Sequence, residues 1–312
     1  MKLKEIGEHR FITDVLSKYV KSEVKLDVYS EDNVVLKIDG FPLTYTLPFI
    51  DFYDIGWKSV IAVMSDMLSY GAKPRVVLSS FGLDPDTDLT QAEMLVRGIS
   101  DASSYYQIIY GGGDTNSSKE GWVDIASWGT RICEKRPNSE PGDLVYITGE
   151  IGYTTGVFMW YNSKGNIPLK YEAMIKLKHP VVNRGLIRAH EKLCDSISLG
   201  TDISDGILVS LDKISKLINN KISLERVPLA YFITDMINQG VISFEEALRQ
   251  GGEEYESLFI VKKDKESMFL NVMADNGINS IKIGKIEKGE PEVLLNNIKQ
   301  EIHGWDNFKG WF

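Results

Sequence analysis

Ile108-Ile109-Tyr110-Gly111-Gly112-Gly113-Asp114-Thr115 joins a short β-branched and aromatic run to three glycines and a carboxylate. A strand that runs straight into glycine and then acid suits an α/β sheet, whose ligands gather at the carboxyl ends of its strands. Glycine lets backbone amides approach a ligand closely, and the adjacent carboxylate can hold a hard cation through oxygen. The combination of glycine and acid recurs at Asp202-Ile203-Ser204-Asp205-Gly206 and at Gly251-Gly252-Glu253-Glu254-Tyr255. Three such clusters point to a site for metal and phosphate, and a polyphosphate substrate is the first expectation.

Outward from that stretch, strand and helix patterns alternate. Residues 34–38 and 76–83 read as strands, and Trp57, Val60, Ile61, Met64 and Leu68 form a helical stripe ended by Gly71 and Pro74. Thr90 and Glu93 form a capping box that opens a helix towards Tyr106, and 122–132 is a long strand. The polar stretch 134–143 holds two prolines and reads as the connection between two domains, 1–136 and 137–312. Beyond it come a strand at 144–148, a helix at 184–192, a short strand before Asp202 and a helix after Gly206. A capping box at Ser243 and Glu246, a strand at 255–261 and a helix–strand pair ending near Ile286 follow. The loop through Gly149, Gly152 and Gly156 has neither P-loop nor dinucleotide spacing and reads as tight packing.

Composition narrows the function. A chain of 312 residues suits two domains of ordinary size, and its 43% hydrophobic and 25% charged fractions are those of a globular protein. No apolar run approaches the ~20 residues of a membrane span. The start, Met1-Lys2-Leu3-Lys4-Glu5, lacks a secretory signal, so a cytoplasmic location is expected. A net charge of −9 argues against an extended nucleic-acid footprint, while phosphate could still be met through divalent metal. Cys133 and Cys194 read as buried small apolar residues, and redox chemistry is not expected.

Each acid has a plain structural reading beside the functional one. Asp66 falls opposite the apolar stripe of its helix, where a solvated position competes with a ligating one. Asp202 and Asp205 can share a cation, or one can cap the helix that follows. Glu253 and Glu254 line a site or end a helix as solvated acids.

Taken in order, several segments resemble one family. They are Val63-Met64-Ser65-Asp66-Met67-Leu68-Ser69-Tyr70-Gly71-Ala72-Lys73-Pro74, Gly112-Gly113-Asp114-Thr115, Pro141-Gly142-Asp143, Asp202-Ile203-Ser204-Asp205-Gly206, Gly251-Gly252-Glu253-Glu254-Tyr255-Glu256 and Gly304-Trp305-Asp306-Asn307-Phe308. Over nearly the whole chain this series resembles the thiamine-monophosphate kinases of the aminoimidazole ribonucleotide synthetase-like, ATP-using superfamily. The resemblance implies an α+β fold with two α/β domains: an N-terminal mixed sheet that dimerises into a barrel-like interface within 30–130, and a C-terminal α/β domain completing a substrate cleft. It implies a homodimer that transfers phosphate from ATP to thiamine monophosphate in line, with several Mg²⁺ ions. Metal would be held by Asp32, Asp66, Asp114, Asp202 and Asp205, with Asp114 and Asp205 as the catalytic acids. Nucleotide would meet Gly113, Asp114, Arg136 and Ser204, and the acceptor would meet Glu253 and Trp305.

Two segments depart from the family pattern. Ser30-Glu31-Asp32 stands where Gly-Asp-Asp is usual, and 43–51 shows neither the Ser-Thr-Asp metal motif nor the nearby histidine. Asp51 or Asp54 is read as a substitute, Asp54 alternatively as a helix cap. The competing readings are another ATP-dependent phosphorylating enzyme of the superfamily, or a non-catalytic nucleotide-binding regulator. No cysteine near the N-terminal acids supports a selenophosphate synthetase, and no C-terminal cysteine supports a hydrogenase-maturation protein.

Overall fold

The computed structural model describes residues 2–20, 27–45 and 47–312. Five strands form the first sheet: β1 (Tyr29–Glu31), β2 (Val34–Pro42), β3 (Ala72–Leu83), β4 (Ile109–Ser117) and β5 (Trp122–Arg131). Their order is β1-β2-β5-β3-β4, with only the β3–β4 pair parallel. That pair is a βαβ unit whose crossover is the Leu89–Tyr106 helix. Asp88 caps this helix, its carboxylate accepting the Thr90 N–H at 2.8 Å, so the expected Thr90/Glu93 box gives way to a nearer acid.

Period-two alternation divides the sheet into two faces. Val35, Val77, Val123 and Ile125 face inward and are buried, whereas Leu36, Ile38, Leu78 and Trp128 point outward and are exposed. Against the inner face lies a central helix, Phe52–Tyr70. It opens with a reciprocal cap, in which Asp51 accepts the Asp54 N–H at 2.9 Å and Asp54 accepts the Asp51 N–H at 3.0 Å. Between Asp54 and Ser69 only Trp57 escapes full burial. The polar side opposite the apolar stripe therefore meets protein, not water, and the solvated reading of Asp66 falls.

What covers that side is the second sheet, built from β6 (Leu144–Thr148), β7 (Ile197–Asp202), β8 (Lys221–Leu224), β9 (Ser257–Val261), β10 (Ser280–Glu287), β11 (Val293–Leu295) and β12 (Ile298–Lys299). Its order is β12-β11-β8-β10-β6-β9-β7, which sets β7 at an edge beside the central helix. One apolar core runs from the inner face of the first sheet through the central helix to Tyr146, Phe259 and Phe269. A second core packs Ile147, Leu258, Ile260 and Ile283 against the Ile207–Ile218 helix. The chain is thus α+β, two sheets with helices between and outside them. Among the described residues no helix is long and apolar enough to cross a membrane.

The cysteines correct the expectation. Cys133 and Cys194, 61 residues apart, form a disulfide with Cα atoms 5.4 Å apart, tying the segment just after β5 to the loop after the Gly185–Lys192 helix. Nothing local in the sequence reports that proximity.

Candidate active site

The central helix carries one wall of the site. Ser65 donates to Asp202 Oδ2 at 2.5 Å, and carboxylate oxygens of Asp27, Asp66 and Asp202 all lie within 4.8 Å of one another. Asp66 and Asp202 are buried. Burial, and then the charge of Asp202, drives the Asp66 carboxyl well above the ordinary carboxylate range. Asp202 is pushed up to about 6 by burial, then by the charge of Asp27. For Asp27 burial works in the same direction, but Lys213 and Lys37 outweigh it and hold the carboxylate ionised.

Hard oxygen donors gathered this closely fit a divalent cation such as Mg²⁺, which would relieve the repulsion that raises Asp66 and Asp202. Two ammonium groups already stand among them. Lys37 Nζ lies 2.5 Å from Asp66 and 3.2 Å from Asp39, and Lys213 Nζ lies 3.4 Å from Asp27 and 3.7 Å from Asp205.

The glycine-acid segment 251–255 supplies the next wall. Glu253 and Tyr255 both take left-handed backbone conformations, with φ of 58° and 52°, at a cost of roughly 1–3 kcal/mol each. The fold sustains this by pairing the Glu253 and Tyr255 N–H groups with the carbonyls of Ser204 and Ile203. The two acids consequently part company. Glu253 reaches Lys58 of the central helix at 2.9 Å, while Glu254 turns inward and accepts from Gly152 N–H, Thr154 N–H and Thr154 Oγ1 at the start of the Tyr153–Asn162 helix. Of the two readings for these acids, neither holds for both: Glu253 contacts the central helix and Glu254 is a buried helix cap.

A two-stranded hairpin, β13 (Trp305–Asp306) with β14 (Gly310–Trp311), stands beside the Asp205 loop. Trp305 N–H donates to the Asp205 carbonyl at 2.9 Å, its indole N–H donates to Asn307 at 2.9 Å, and its ring meets Trp311 edge-on at 5.3 Å. Trp305 keeps part of its surface exposed beside the Asp205 loop. Gly206 precedes the Ile207–Ile218 helix without a side-chain cap, so neither Asp202 nor Asp205 is spent on capping.

Asp66, Asp202, Ser204, Asp205, Glu253 and Trp305 are therefore linked through direct contacts. Other expected residues lie apart. Asp32 sits in the two-residue turn between β1 and β2, and Asp27 stands in the cluster instead. Asp51 and Asp54 are spent on the helix cap, Asp54 also pairing with Lys178 at 2.8 Å. Part of the altered 43–54 segment, Thr46 and the side chain of Tyr45, lies outside the described residues. The glycine run forms part of β4 itself, where a Cβ on Gly113 would stand 1.7 Å from the Ser79 carbonyl oxygen. Asp114 shares a row with Ser80 and Asp124 on the outer face, exposed and accepting from Asn116 at 2.7 Å.

Arg136 packs at the end of the central helix. Its Nη2 meets His190 Nδ1 at 3.1 Å while His190 Nε2 meets the Leu68 carbonyl at 3.0 Å. Burial, then the charge of Arg136, holds His190 well below 6.5, so the ring is neutral, donating to Leu68 and accepting from Arg136. Burial draws the guanidinium down to about 10, and among the described residues its Nη1 has no hydrogen-bond partner. An unpaired buried guanidinium is suited to an anion.

Asp27, Lys37, Asp39 and Lys213 were not anticipated from sequence. The signal for two of them is the inverted alternation of β2, in which Lys37 and Asp39 share the inner face with Val35 while Leu36 and Ile38 face out.

Residues 22–130 match the family described as AIR synthase related protein, N-terminal domain. A thiamine-monophosphate kinase of Pyrobaculum calidifontis is 26% identical over 288 residues, covering 91% of this chain and 90% of that one. One from Aquifex aeolicus is 26% identical over 322 residues, covering 99% and 100%. Among solved structures, AaThiL complexed with AMPPCP and TMP superposes with a TM-score of 0.84 at 23% identity, over 98% of this chain and 99% of that one, a likeness of fold.

Proposed function

We propose that this chain, which belongs to the thiamine-monophosphate kinase family of AIR synthase related proteins, phosphorylates thiamine monophosphate to thiamine diphosphate with ATP. The observation that supports the reading is the contact of the segments carrying Asp66, Asp202, Asp205, Glu253 and Trp305, which span more than 200 residues of sequence. A relative's complex with AMPPCP and TMP supports it.

Joining a phosphate monoester to a γ-phosphate sets anion against anion, so the protein contributes alignment and charge neutralisation. Asp27, Asp66 and Asp202, with Asp205 and Asp114, would hold Mg²⁺, which supplies the positive charge that draws phosphate oxygens to an acidic site. Asp114 and Asp205 would be the catalytic acids. Gly113, whose closeness to β3 leaves no room for a side chain, would admit the nucleotide phosphates, together with Ser204 and Arg136. Glu253 would set a negative charge, and Trp305 an aromatic face, towards a thiazolium cation.

The outer face of the first sheet would be a homodimer interface. Leu36, Ile38, Leu78, Ile109 and Trp128 are exposed there, Ile38 at 67% and Ile109 at 68%, on a face that water would ordinarily make polar. Asp114 lies on this face, so its proposed role would set the nucleotide near the junction of two copies.

The test is ATP turnover with and without thiamine monophosphate, with thiamine diphosphate identified by mass. Thiamine diphosphate formed only with both substrates and Mg²⁺ is the expected result. ATP consumption indifferent to thiamine monophosphate would point to another acceptor, and no turnover to a nucleotide-binding regulator.

A further inference from the structure

We propose that the Lys37 ammonium takes the place of one divalent cation in the acidic centre. The proposal deepens the reading of this centre as the phosphoryl-transfer site and concerns how many metal ions it holds.

Lys37 sits within a strand, on the face that packs into the core, a position where its neighbour in alternation is the fully buried Val35. Its side chain is 11% exposed, and Nζ lies 2.5 Å from Asp66 Oδ2 and 3.2 Å from Asp39 Oδ2. An amine whose ordinary pKa lies far above neutral, set against two carboxylates, faces them as an ammonium. A lysine placed there to pack would turn its head to water. This one instead directs it into the densest group of carboxylates among the described residues.

An ammonium at that distance and a metal ion compete for the same Asp66 oxygen. The ammonium brings one charge and three hydrogens that fan towards several acceptors, which suits it to bridge Asp66 and Asp39. It thereby lowers the local negative charge that would recruit a further Mg²⁺. Lys213 acts similarly at longer range on Asp27 and Asp205. The centre is left with enough carboxylate for metal, through Asp27, Asp202 and the free Asp66 oxygen, but with one cation position permanently filled by the chain. That filled position also supplies a fixed positive charge near the transferring phosphate that does not depend on free metal.

The experiment counts ions directly. Mn²⁺ is titrated into the wild-type protein, Lys37→Met and Lys37→Gln with the nucleotide analogue AMPPCP present, and free Mn²⁺ is followed by electron paramagnetic resonance. The proposal expects one more Mn²⁺ bound per chain in both variants, and a larger rise in melting temperature with Mn²⁺ than the wild type shows. An unchanged ion count in folded variants overturns it. Should the variants be unfolded without metal, recovery of the native circular dichroism on adding Mn²⁺ supports the exchange of ammonium for ion. Failure of Mn²⁺ to restore the fold overturns it, because Lys37 would then serve packing alone. The count requires no turnover, so an unexpected acceptor for the kinase reaction leaves this result readable.

Discussion

The two faces of the five-stranded sheet hold acids in opposite circumstances. Inside, Asp66 and Asp202 are buried against one another, with Asp27, Lys37 and Lys213 close by, and burial raises both carboxyls. Outside, Asp114 stands exposed on β4, accepting from Asn116, on a face strewn with apolar residues. The inner group is assembled wholly within one chain, from β2, the central helix, β7, the Ile207–Ile218 helix and the residues just before β1. The outer one stands open beside Ser80 and Asn116 and is suited to completion by ligand and a second copy. Desolvated like charges are poised to change affinity sharply when cation arrives, whereas an exposed carboxylate is energetically quiet until covered.

The largest effect that separates the two should come from amide substitutions. Asp202→Asn and Asp114→Asn are both expected to lower turnover by about a thousandfold or more, the several kcal/mol of a lost metal-bridging group. Their metal-free melting temperatures should differ: Asp202→Asn equals or exceeds the wild type, since one of two repelling buried charges is gone, and Asp114→Asn is unchanged. Full activity of Asp114→Asn would remove the outer acid from the site. A collapse in stability of Asp202→Asn would make the inner cluster a structural feature.

The outer face alone should respond to Ile38→Lys. A charge placed at a desolvated interface is expected to weaken self-association about a hundredfold, close to 3 kcal/mol. Light scattering at micromolar concentration should then report a monomer for the variant and a dimer for the wild type, and a monomeric wild type would end the dimer reading.

At the inner cleft, Trp305→Ala should weaken thiamine monophosphate binding roughly tenfold, with ATP affinity and melting temperature little changed. The ring's contacts with Asn307 and Trp311 give the competing outcome a clear form. A large fall in melting temperature with acceptor affinity preserved assigns Trp305 to the hairpin.

The smallest effect concerns His190, neutral beneath the central helix. Its folded pKa lies below the unfolded value near 6.5, so the unfolded chain binds the extra proton. Its contribution is complete above pH 6.5 and is lost as pH falls below it, at up to about 1.4 kcal/mol per unit. Denaturant titrations between pH 7 and 5 should show a shallower loss for His190→Gln than for the wild type. Parallel curves would mean that other groups carry the acid sensitivity.

Much of the site could be read along the chain because its acids sit beside glycine and at strand ends. Asp202, Asp205 and Glu253 stand out from such local context and Trp305 only from the family resemblance, and the structure links them through direct contacts. Asp32 follows from the resemblance alone, and its place is a hairpin turn while Asp27 reaches the cluster. A few residues of register decide that difference, and acids on both sides of β1 look alike in sequence. The cysteine pair was equally silent, since two residues 61 apart carry no local mark of meeting.

The sequence by itself determined the elements and most of the chemistry, because hydrophobic period, capping acids and glycine act over a few residues. Tertiary structure alone decided which acids lose water and which cations they meet. The central helix is buried on nearly every side only because a second sheet covers it, and that burial turns Asp66 from a surface carboxylate into a partner of Asp202 and Lys37. Desolvation and pairing depend on surfaces brought together from distant segments, and no window of sequence contains both surfaces at once.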